Sequence, residues 1–429
     1  MSPIHDDPYI DAVLDAFQPV SEEHVRNVIL KSALKTCSLD PIPPSLFVKC
    51  LDELLLAVTH IINSSLVSGV VPPEFKTAIV KPLLKKPSLD HNNLKKYRPV
   101  SDLSFLSKIL DKIILSQLSA YLSSNHLFCS SQSAYRAGHS TETALLKVMN
   151  DILRALDDGN ISVFALLDLS AAFDTIDHKI LLDRLENLYG ISGTALSWFK
   201  SYLTGRTQMV TIDNNSSKPS ILCFGVPQGS VPGPVLFILY TKPLLNSIEH
   251  HSISGQSFAD DTQLVDSCHP DHLDTNVQRM QNCISEVKSW MDCNKLKLND
   301  DRTESFLIKS DRIMLPDSAP ASVRAGNSDI PFASHARIFG SRSLPTQPTT
   351  NNHDKHVTNL CRSAYAELRR IGSIRHLLTV NASRTLLSAF VLSKLDYCNS
   401  LLCGSPQFIP DKRQRVQLCS KFSHEILQV

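Results

Sequence analysis

Apolar residues recur along this chain with two periods, and each period predicts one kind of element. Helical spacing predicts helices near residues 25–29, 45–68, 106–118, 140–157, 181–188, 277–287 and 377–395. A continuous apolar run, Ile161–Leu167, instead predicts a buried strand that ends at Asp168. Gly255–Phe258 and Thr262–Val265 flank a pair of aspartates, which predicts a hairpin with carboxylates at its tip. The chain is therefore expected to combine helices with strands.

The acidic residues at these strand ends are Asp168 and the adjacent pair Asp260-Asp261. Two neighbouring aspartates repel each other, so a fold that keeps both ionised needs a cation or strong donors nearby. If the two predicted strands lie side by side, the three carboxylates form an oxygen cage, the ligand type that Mg²⁺ prefers beside phosphates. Two such ions can activate an attacking hydroxyl and stabilise a leaving pyrophosphate. Taken alone, an Asp-Asp pair is more often a solvated turn, so the surrounding residues must show whether this pair is functional.

Composition excludes some classes of protein and leaves nucleic-acid binding open. The 429 residues are 42% hydrophobic and 20% charged, which is typical of a globular chain. No apolar run is long enough to span a membrane, and the 11 cysteines include no C-x-x-C pair, so we expect an intracellular protein with no membrane partner. Net charge is only +1, but residues 76–98 carry a basic cluster that can neutralise phosphates or simply solvate a loop.

Three further segments carry residues suited to a nucleotide site. Arg136, in the polar segment 131–141, can hold a phosphate bidentately or form a surface ion pair. Phe173 follows the predicted strand and can either reject a 2′-hydroxyl by steric contact or pack in the core. The loop Gly225–Ser230 has glycines that permit close backbone approach and an amide, Gln228, that can donate or accept. The alternative for this loop is an ordinary turn.

Five short blocks follow one another along the chain. They are Tyr97–Ser101 (YRPVS), Gln132–Thr141 (QSAYRAGHST), Leu167–Asp174 (LDLSAAFD), Gly225–Ser230 (GVPQGS) and Phe258–Thr262 (FADDT). In this order they resemble the reverse transcriptase of LINE-type (non-LTR) retrotransposons, in the broad Jockey-like group. The similarity runs from about residue 37 to residue 310 and resumes at residues 377–404.

This resemblance implies an α+β fold of the right-hand polymerase kind, with fingers, a palm that contains an antiparallel sheet, and a partial helical thumb. The corresponding segments are an N-terminal helical extension at 1–70, fingers and palm at 71–310, a poorly ordered and degenerate thumb start at 311–356, and a C-terminal helical segment at 357–429.

The resemblance also implies roles for individual residues. The implied catalytic residues and ligands of two Mg²⁺ ions, with Mn²⁺ as a substitute, are Asp168, Asp260 and Asp261. The implied contacts to the incoming nucleotide and template come from Phe173, which would discriminate the sugar, and from Gln228, Gly229, Arg98 and Arg136. The implied partners are an RNA template, a DNA primer and a dNTP, with no evident protein partner. The implied location is the nucleus.

Some positions depart from the family pattern. Pro232 stands where leucine is common, and because proline is tolerated only in a first helical turn, we expect it to distort the loop. Arg302 replaces a lysine, which preserves charge but not geometry. The primer-grip block is reduced to Ile338-Phe339-Gly340, and the match is lost after Pro410. From the resemblance we also expect a protein without the family's upstream endonuclease domain.

The sequence thus predicts an RNA-directed DNA polymerase that joins a dNTP to a primer 3′-hydroxyl by a two-metal mechanism. One alternative is a truncated, inactive relic of a retrotransposon that only binds nucleic acid. Another is an unrelated α/β phosphate-binding protein in which Asp168 and Asp260 lie far apart.

Overall fold

The structure is a computed structural model that describes residues 12–425, apart from 171, 214, 300–301, 311, 327, 334, 339–341, 346–349 and 403–406. Ala171 of the third block and Phe339-Gly340 of the primer-grip block therefore lie outside the described residues. None of the helices within these ranges is long and apolar enough to cross a membrane.

Helices and strands are interspersed along the chain. The helices are α1 (Glu22–Leu30), α2 (Pro44–Lys49), α3 (Leu51–Ser68), α4 (Phe105–Ser124), α5 (Thr141–Asp157), α6 (His178–Asn187), α7 (Gly193–Leu203), α8 (Gly233–His250), α9 (Leu273–Cys293), α10 (Thr350–Ile374), α11 (Val380–Leu387), α12 (Ser393–Asp396) and α13 (Phe408–Glu425). The strands are β1 (Thr77–Leu84), β2 (Tyr97–Asp102), β3 (Ile161–Leu167), β4 (Thr207–Ile212), β5 (Asn215–Ser216), β6 (Ser220–Ile221), β7 (Ser254–Phe258), β8 (Asp261–Cys268), β9 (Glu304–Ile308), β10 (Ser322–Ala325), β11 (Ser328–Pro331), β12 (His335–Ile338) and β13 (Arg342–Pro345). This content confirms the predicted α+β class.

The chain divides into two compact units. The first unit consists of Met1–Ser130, Leu169–Leu245 and Ser289–Lys297. The second unit consists of Ser131–Asp168, Asn246–Lys288 and Leu298–Val429. Each unit is assembled from segments that are distant in the sequence, so neither corresponds to a single continuous stretch.

The first unit packs helices around buried aromatic side chains and carries one sheet. Trp198 and Phe199 of α7 are fully buried and meet the ring of Phe17 edge to face, at centroid distances of 6.0 and 5.9 Å. The Trp198 indole N–H donates to the Ser65 hydroxyl of α3 at 3.1 Å. In the sheet, β1 pairs antiparallel with β2 and parallel with β4, and β4 also pairs with β5 and β6.

The second unit contains a four-stranded antiparallel sheet in the order β7-β8-β3-β9. Strand β3, predicted from its apolar run, lies in the interior of this sheet. Phe164 of β3 stands opposite Val265 of β8 and Phe306 of β9, and these side chains form one core with apolar residues of α5. A second core joins α10 to α13 around residues such as Val357 and Val416.

Helix ends occur where the sequence places glycine or a capping hydroxyl. Gly69 ends α3 in a left-handed conformation, with φ of 68°, and an added Cβ there would lie 2.6 Å from the Thr194 carbonyl oxygen. Ser140 begins α5: its hydroxyl accepts the Thr143 N–H, and the Thr143 hydroxyl accepts the Ser140 N–H. Both of these predicted boundaries are confirmed.

The segment that follows β9 contains short hairpins, in which β10 pairs with β11 and β12 with β13. Helix α10 begins soon afterwards, at Thr350. The division of the chain into an extension, fingers and palm, a degenerate thumb start and a C-terminal segment stays a prediction.

Pro232 does not interrupt α8. The helix begins at the next residue, Gly233, and the Pro232 carbonyl accepts the first helical hydrogen bond from the Leu236 N–H at 2.9 Å. A residue at this boundary needs no backbone N–H for the helix, which is why proline fits there.

We predict that Phe164→Ala destabilises the second unit by about 3–5 kcal/mol, because it leaves a cavity beneath the sheet. The side chain is 0% exposed, so little of the lost contact can be replaced by solvent. Chemical denaturation followed by circular dichroism measures the change. Phe224→Ala, at a ring that is 61% exposed, serves as the control, and an equal loss in both variants would contradict the assignment of this core.

Candidate active site

The aspartate pair lies at the tip of the β7–β8 hairpin. Phe258 at the end of β7 pairs with Asp261 at the start of β8, so Ala259 and Asp260 form the turn. Ala259 has φ of 60°, a left-handed conformation that is uncommon for a residue other than glycine. The predicted hairpin with carboxylates at its tip is confirmed.

Strand β3 delivers the third carboxylate to the same end of the sheet. Leu167, the last residue of β3, pairs with Thr262 of β8. Extending this antiparallel register by one residue puts Asp168 across from Asp261, on the same face of the sheet. The two predicted strands are therefore direct neighbours.

The three carboxylates interact electrostatically. Burial, followed by the charges of Asp260 and Asp168, raises the pKa of Asp261 to about 7, and Arg302 acts in the opposite direction. Like charges disfavour ionisation of a neighbouring carboxyl group. Because both aspartates act on Asp261, the structure gives no support to the alternative in which these residues lie far apart.

Asp168 is held by donors from the segment that leads into β9. Its Oδ2 accepts the side-chain amide of Asn299 at 2.8 Å and the guanidinium of Arg302 at 3.3 Å. The Asp168 backbone carbonyl also accepts the Asn299 N–H at 2.8 Å. The side chain of Asp168 is 19% exposed, so these contacts fix its orientation while leaving part of the carboxylate accessible.

Carboxylate oxygens are hard donors, and their mutual repulsion at Asp261 is what a divalent cation would relieve. Among the residues that the structure describes, no three His, Cys, Asp or Glu side chains already stand in the geometry of a metal site. The donor set of Asp168, Asp260 and Asp261 thus fits a hard cation in its chemistry, and the side chains would have to turn toward it.

The glycine loop and Phe173 meet within the first unit. The Phe173 carbonyl accepts the Val226 N–H at 2.9 Å, and its half-buried ring packs on Phe237 with centroids 5.0 Å apart. Gly229 has φ of 122°, and a Cβ there would lie 2.6 Å from the Ser101 carbonyl oxygen. The Gln228 carbonyl accepts the Ser101 N–H at 2.7 Å. The loop therefore lies tightly against β2 and tolerates no side chain at Gly229.

A buried acid supports the far end of this loop. The backbone N–H of Val231 donates to Asp111 of α4, and burial raises the pKa of Asp111 to about 7, against the opposing charge of Arg206. Asp111 Oδ2 is buried and has no hydrogen-bond partner among the described residues. The loop is thus anchored to α4 as well as to β2.

The two arginines occupy different environments. Arg98 is exposed on β2, opposite Leu83 of β1. Arg136 is half-buried, and its guanidinium donates to the Gln132 backbone carbonyl at 2.9 Å.

Taken together, the candidate residues fall into two groups. The group in the second unit is Asp168, Asp260, Asp261 and Arg136, and the group in the first unit is Phe173, Gln228, Gly229 and Arg98.

Two residues with direct contacts to the acidic turn or to Asp168 were not predicted. Gln132 is 2% exposed, and its side-chain amide bonds both the N–H and the carbonyl of Ala259. Asn299 bonds Asp168 as described above. The only sequence signal was that Gln132 opens a matching block and that Asn299 follows a Lys-Leu-Lys-Leu run shortly before a strand. Neither signal indicates which residue the side chain meets.

Comparison with known proteins gives one family match and several relatives. Residues 84–343 match the family described as reverse transcriptase (RNA-dependent DNA polymerase). A probable RNA-directed DNA polymerase from transposon BS of Drosophila melanogaster is 27% identical over 77% of this chain and 36% of its own length. RNA-directed DNA polymerases from the mobile element jockey are 28% identical in D. melanogaster and 31% identical in D. funebris, over 60% and 53% of this chain and 29% and 25% of theirs.

The chain thus spans about a third or less of the length of these relatives. Among solved structures, apo telomerase from Candida tropicalis, truncated from its C-terminal domain, aligns with a TM-score of 0.41 and 14% identity. That alignment covers 64% of this chain and 56% of the telomerase chain.

We predict that the pH dependence of stability changes in Asp111→Asn. In the folded chain Asp111 binds a proton up to a pKa of about 7, whereas its ordinary value is 3.8. The native state therefore holds a proton that the unfolded chain releases, and the contribution to stability, complete below pH 3.8, is lost as pH rises through 7. Asparagine keeps an oxygen for Val231 but does not titrate.

Thermal unfolding between pH 5 and pH 8 tests this, with exposed Asp158→Asn as the control. The midpoint of the Asp111 variant, relative to that of the native chain, should move in favour of the variant as pH rises. Parallel curves for the two proteins would show that Asp111 does not titrate as expected.

Proposed function

Because the chain belongs to the reverse transcriptase (RNA-dependent DNA polymerase) family, we propose that it copies RNA into DNA. The reaction is attack of a primer 3′-hydroxyl on the α-phosphate of a dNTP, with pyrophosphate as the leaving group. The observation that carries this proposal is the convergence of Asp168, Asp260 and Asp261 at one end of the β7-β8-β3-β9 sheet. Carboxylates positioned at the end of a rigid sheet can hold the divalent ions that phosphoryl transfer uses.

Divalent ions at these carboxylates, two Mg²⁺ with Mn²⁺ as a substitute, would supply the positive charge that activates the hydroxyl and neutralises the leaving pyrophosphate. Asp168 and Asp260 would hold both ions, and Asp261 would complete the trio. Asn299 and Arg302 orient Asp168 through its Oδ2. Since Arg302 is 62% exposed, it can move aside and leave that oxygen to a cation.

The proposed contacts to the incoming nucleotide include residues of the glycine loop and Phe173 in the first unit. The ring of Phe173, supported by Phe237, would exclude a 2′-hydroxyl, so the enzyme would prefer dNTPs. Gln228 and Gly229 would lie beneath the incoming nucleotide and template, where a side chain at residue 229 has no space.

Arg98, Arg136 and the basic segment 76–98 would neutralise phosphates of the triphosphate and of the RNA template and DNA primer. The nucleus, where the DNA of the host lies, is the proposed place of action.

The alternative function, a relic that only binds nucleic acid, shares the fold and differs in the chemistry. The retained trio and the uninterrupted helix after Pro232 favour the active enzyme.

We predict that the purified chain extends an oligo-dT primer on a poly-rA template when Mg²⁺ and dTTP are supplied, and that Asp260→Asn lowers the rate at least about 100-fold. The reason is that the amide removes one of the negative charges that would hold the divalent cations. Incorporation of labelled dTTP measures the rate.

The matched control is Asp158→Asn, which changes the same residue type in an exposed Asp-Asp pair at the end of α5 in the same unit. Its rate should equal that of the native chain. Absence of extension in the native chain, with template binding retained, would identify the protein as the non-catalytic relic.

We predict that Phe173→Val relaxes sugar selection. Replacing the ring with a smaller side chain opens space for a 2′-hydroxyl, so discrimination between dUTP and UTP, which differ only in that hydroxyl, should fall by about 10- to 200-fold. The ratio of kcat/KM for the two substrates measures the change. Phe237→Leu, which alters only the ring behind Phe173, should change this ratio less, and a Phe173 variant that keeps full discrimination would remove this residue from the sugar site.

A further inference from the structure

The side chain of Gln132 holds the residue that precedes Asp260. Its Oε1 accepts the Ala259 N–H at 3.0 Å, and its Nε2 donates to the Ala259 carbonyl at 3.2 Å. Both backbone groups of one turn residue are thus bonded by one amide. Because Gln132 is only 2% exposed, water does not readily replace these bonds.

The orientation of the Gln132 amide is fixed by a further contact. Oε1 also accepts the Ala134 N–H at 3.0 Å, so two backbone donors point at the oxygen and one backbone acceptor faces the nitrogen. A carboxylate of the same size would satisfy the two donors but would face the Ala259 carbonyl without a proton to donate.

The backbone of residues 131–133 brings Gln132 to the hairpin. The Ser257 N–H donates to the Ser131 carbonyl at 2.7 Å, and the Ser133 N–H donates to the Ser257 carbonyl at 2.9 Å. These bonds make a parallel bridge between Gln132 and Ser257 of β7. The segment therefore acts as a short extra strand beside the hairpin, with Gln132 near its tip.

The held residue is one that would otherwise relax. Ala259 has φ of 60°, and a side chain in this left-handed region is unfavourable without compensating contacts. The direction in which the chain leaves Ala259 sets the position of Asp260 and, through the Phe258 to Asp261 pairing, the start of β8.

We propose that Gln132 is a positioning residue for Asp260 and Asp261. This inference rests on the proposed polymerase function, in which these carboxylates hold the metal ions. Loss of the amide would let the turn leave its left-handed conformation, so the carboxylates would bind cations less well while template binding would persist. The block that begins with Gln132 would therefore help to position the acidic residues. Arg136 belongs to the same block and donates to the Gln132 backbone carbonyl.

The test uses Gln132→Met, which preserves length and burial but makes none of the three hydrogen bonds. The chain offers a matched control, because Gln117 of α4 bonds the N–H and the carbonyl of Gln18 in the same way, at 2.8 Å each, in the first unit. Gln117→Met therefore removes an equivalent pair of bonds away from the acidic turn.

The first measurement is hydrogen exchange of peptides that cover residues 257–263, in metal-free native protein and in both variants. Exchange should be faster in Gln132→Met alone. This measurement does not depend on polymerase activity, so it tests whether Gln132 holds the turn even if the proposed function fails.

The second measurement combines primer extension with Mn²⁺ binding, which is followed by the paramagnetic resonance of free Mn²⁺. For Gln132→Met we expect kcat to fall by about 10- to 100-fold and the Mn²⁺ concentration at half-saturation to rise, with KM for primer–template unchanged. Gln117→Met should match the native chain in all three quantities.

A compensating substitution separates positioning from a direct contact with substrate. Glycine adopts the left-handed conformation without strain, so Ala259→Gly combined with Gln132→Met should recover part of the lost kcat and Mn²⁺ affinity. Native exchange, native kcat and native Mn²⁺ binding in Gln132→Met would overturn the proposal, and so would a loss of kcat with native exchange.

If Gln132→Met does not fold, Gln132→Glu takes its place. It keeps the two accepted bonds and loses the donated one, so exchange should be faster and Mn²⁺ binding altered, and native values of both would overturn the proposal. The proposed function fails if the native chain shows no extension and no Mn²⁺ binding that depends on Asp260. In that case the exchange result still shows whether Gln132 holds Ala259 in place.

Discussion

The antiparallel pairing of β3 with β8 is the constraint on which the acidic site depends. Side chains alternate between the two faces of a strand, so a slip of one residue would move Asp261 to the face opposite Asp168. The register is fixed away from the site, where Phe164 and Val265 stand opposite each other in the same core. The hairpin end also fixes the register, because Phe258 pairs with Asp261 across a turn of two residues. Hydrophobic burial along the strands thus determines the position of charges at their end.

Bringing these charges together has an electrostatic cost that the fold distributes among several groups. Arg302 lies beside Asp168 and opposes the repulsion felt at Asp261, and Asn299 adds a neutral donor. Burial, together with the remaining repulsion, raises the pKa of Asp261. Perturbed pKa values are concentrated at functional sites, where like charges are brought close together. A divalent cation bound there would relieve the repulsion among the three carboxylates that the chain's own donors leave uncompensated.

Local features of the site could be predicted from the sequence, and distant contacts could not. The strand at Ile161–Leu167 and the hairpin around the aspartates follow from apolar runs and turn residues that are adjacent in the chain. The start of the predicted helix 140–157 is likewise local, because the Ser140 hydroxyl accepts the N–H of Thr143, three residues further on.

The contacts that support the site have no such local signature. Gln132 meets Ala259 across 127 residues, and Asn299 meets Asp168 across 131. Polar side chains of this kind look the same in the sequence whether they bond solvent or a buried turn. Only the order of the strands, in which β9 is the neighbour of β3 and residues 131–133 pair alongside β7, determines their partners. Pro232 and Arg302 are departures from the family pattern whose structural effect the sequence alone does not determine. Proline at the boundary of α8 gives up an N–H that the helix does not use, and arginine reaches the Asp168 carboxylate with its longer side chain. Each departure is therefore compatible with the local structure around it.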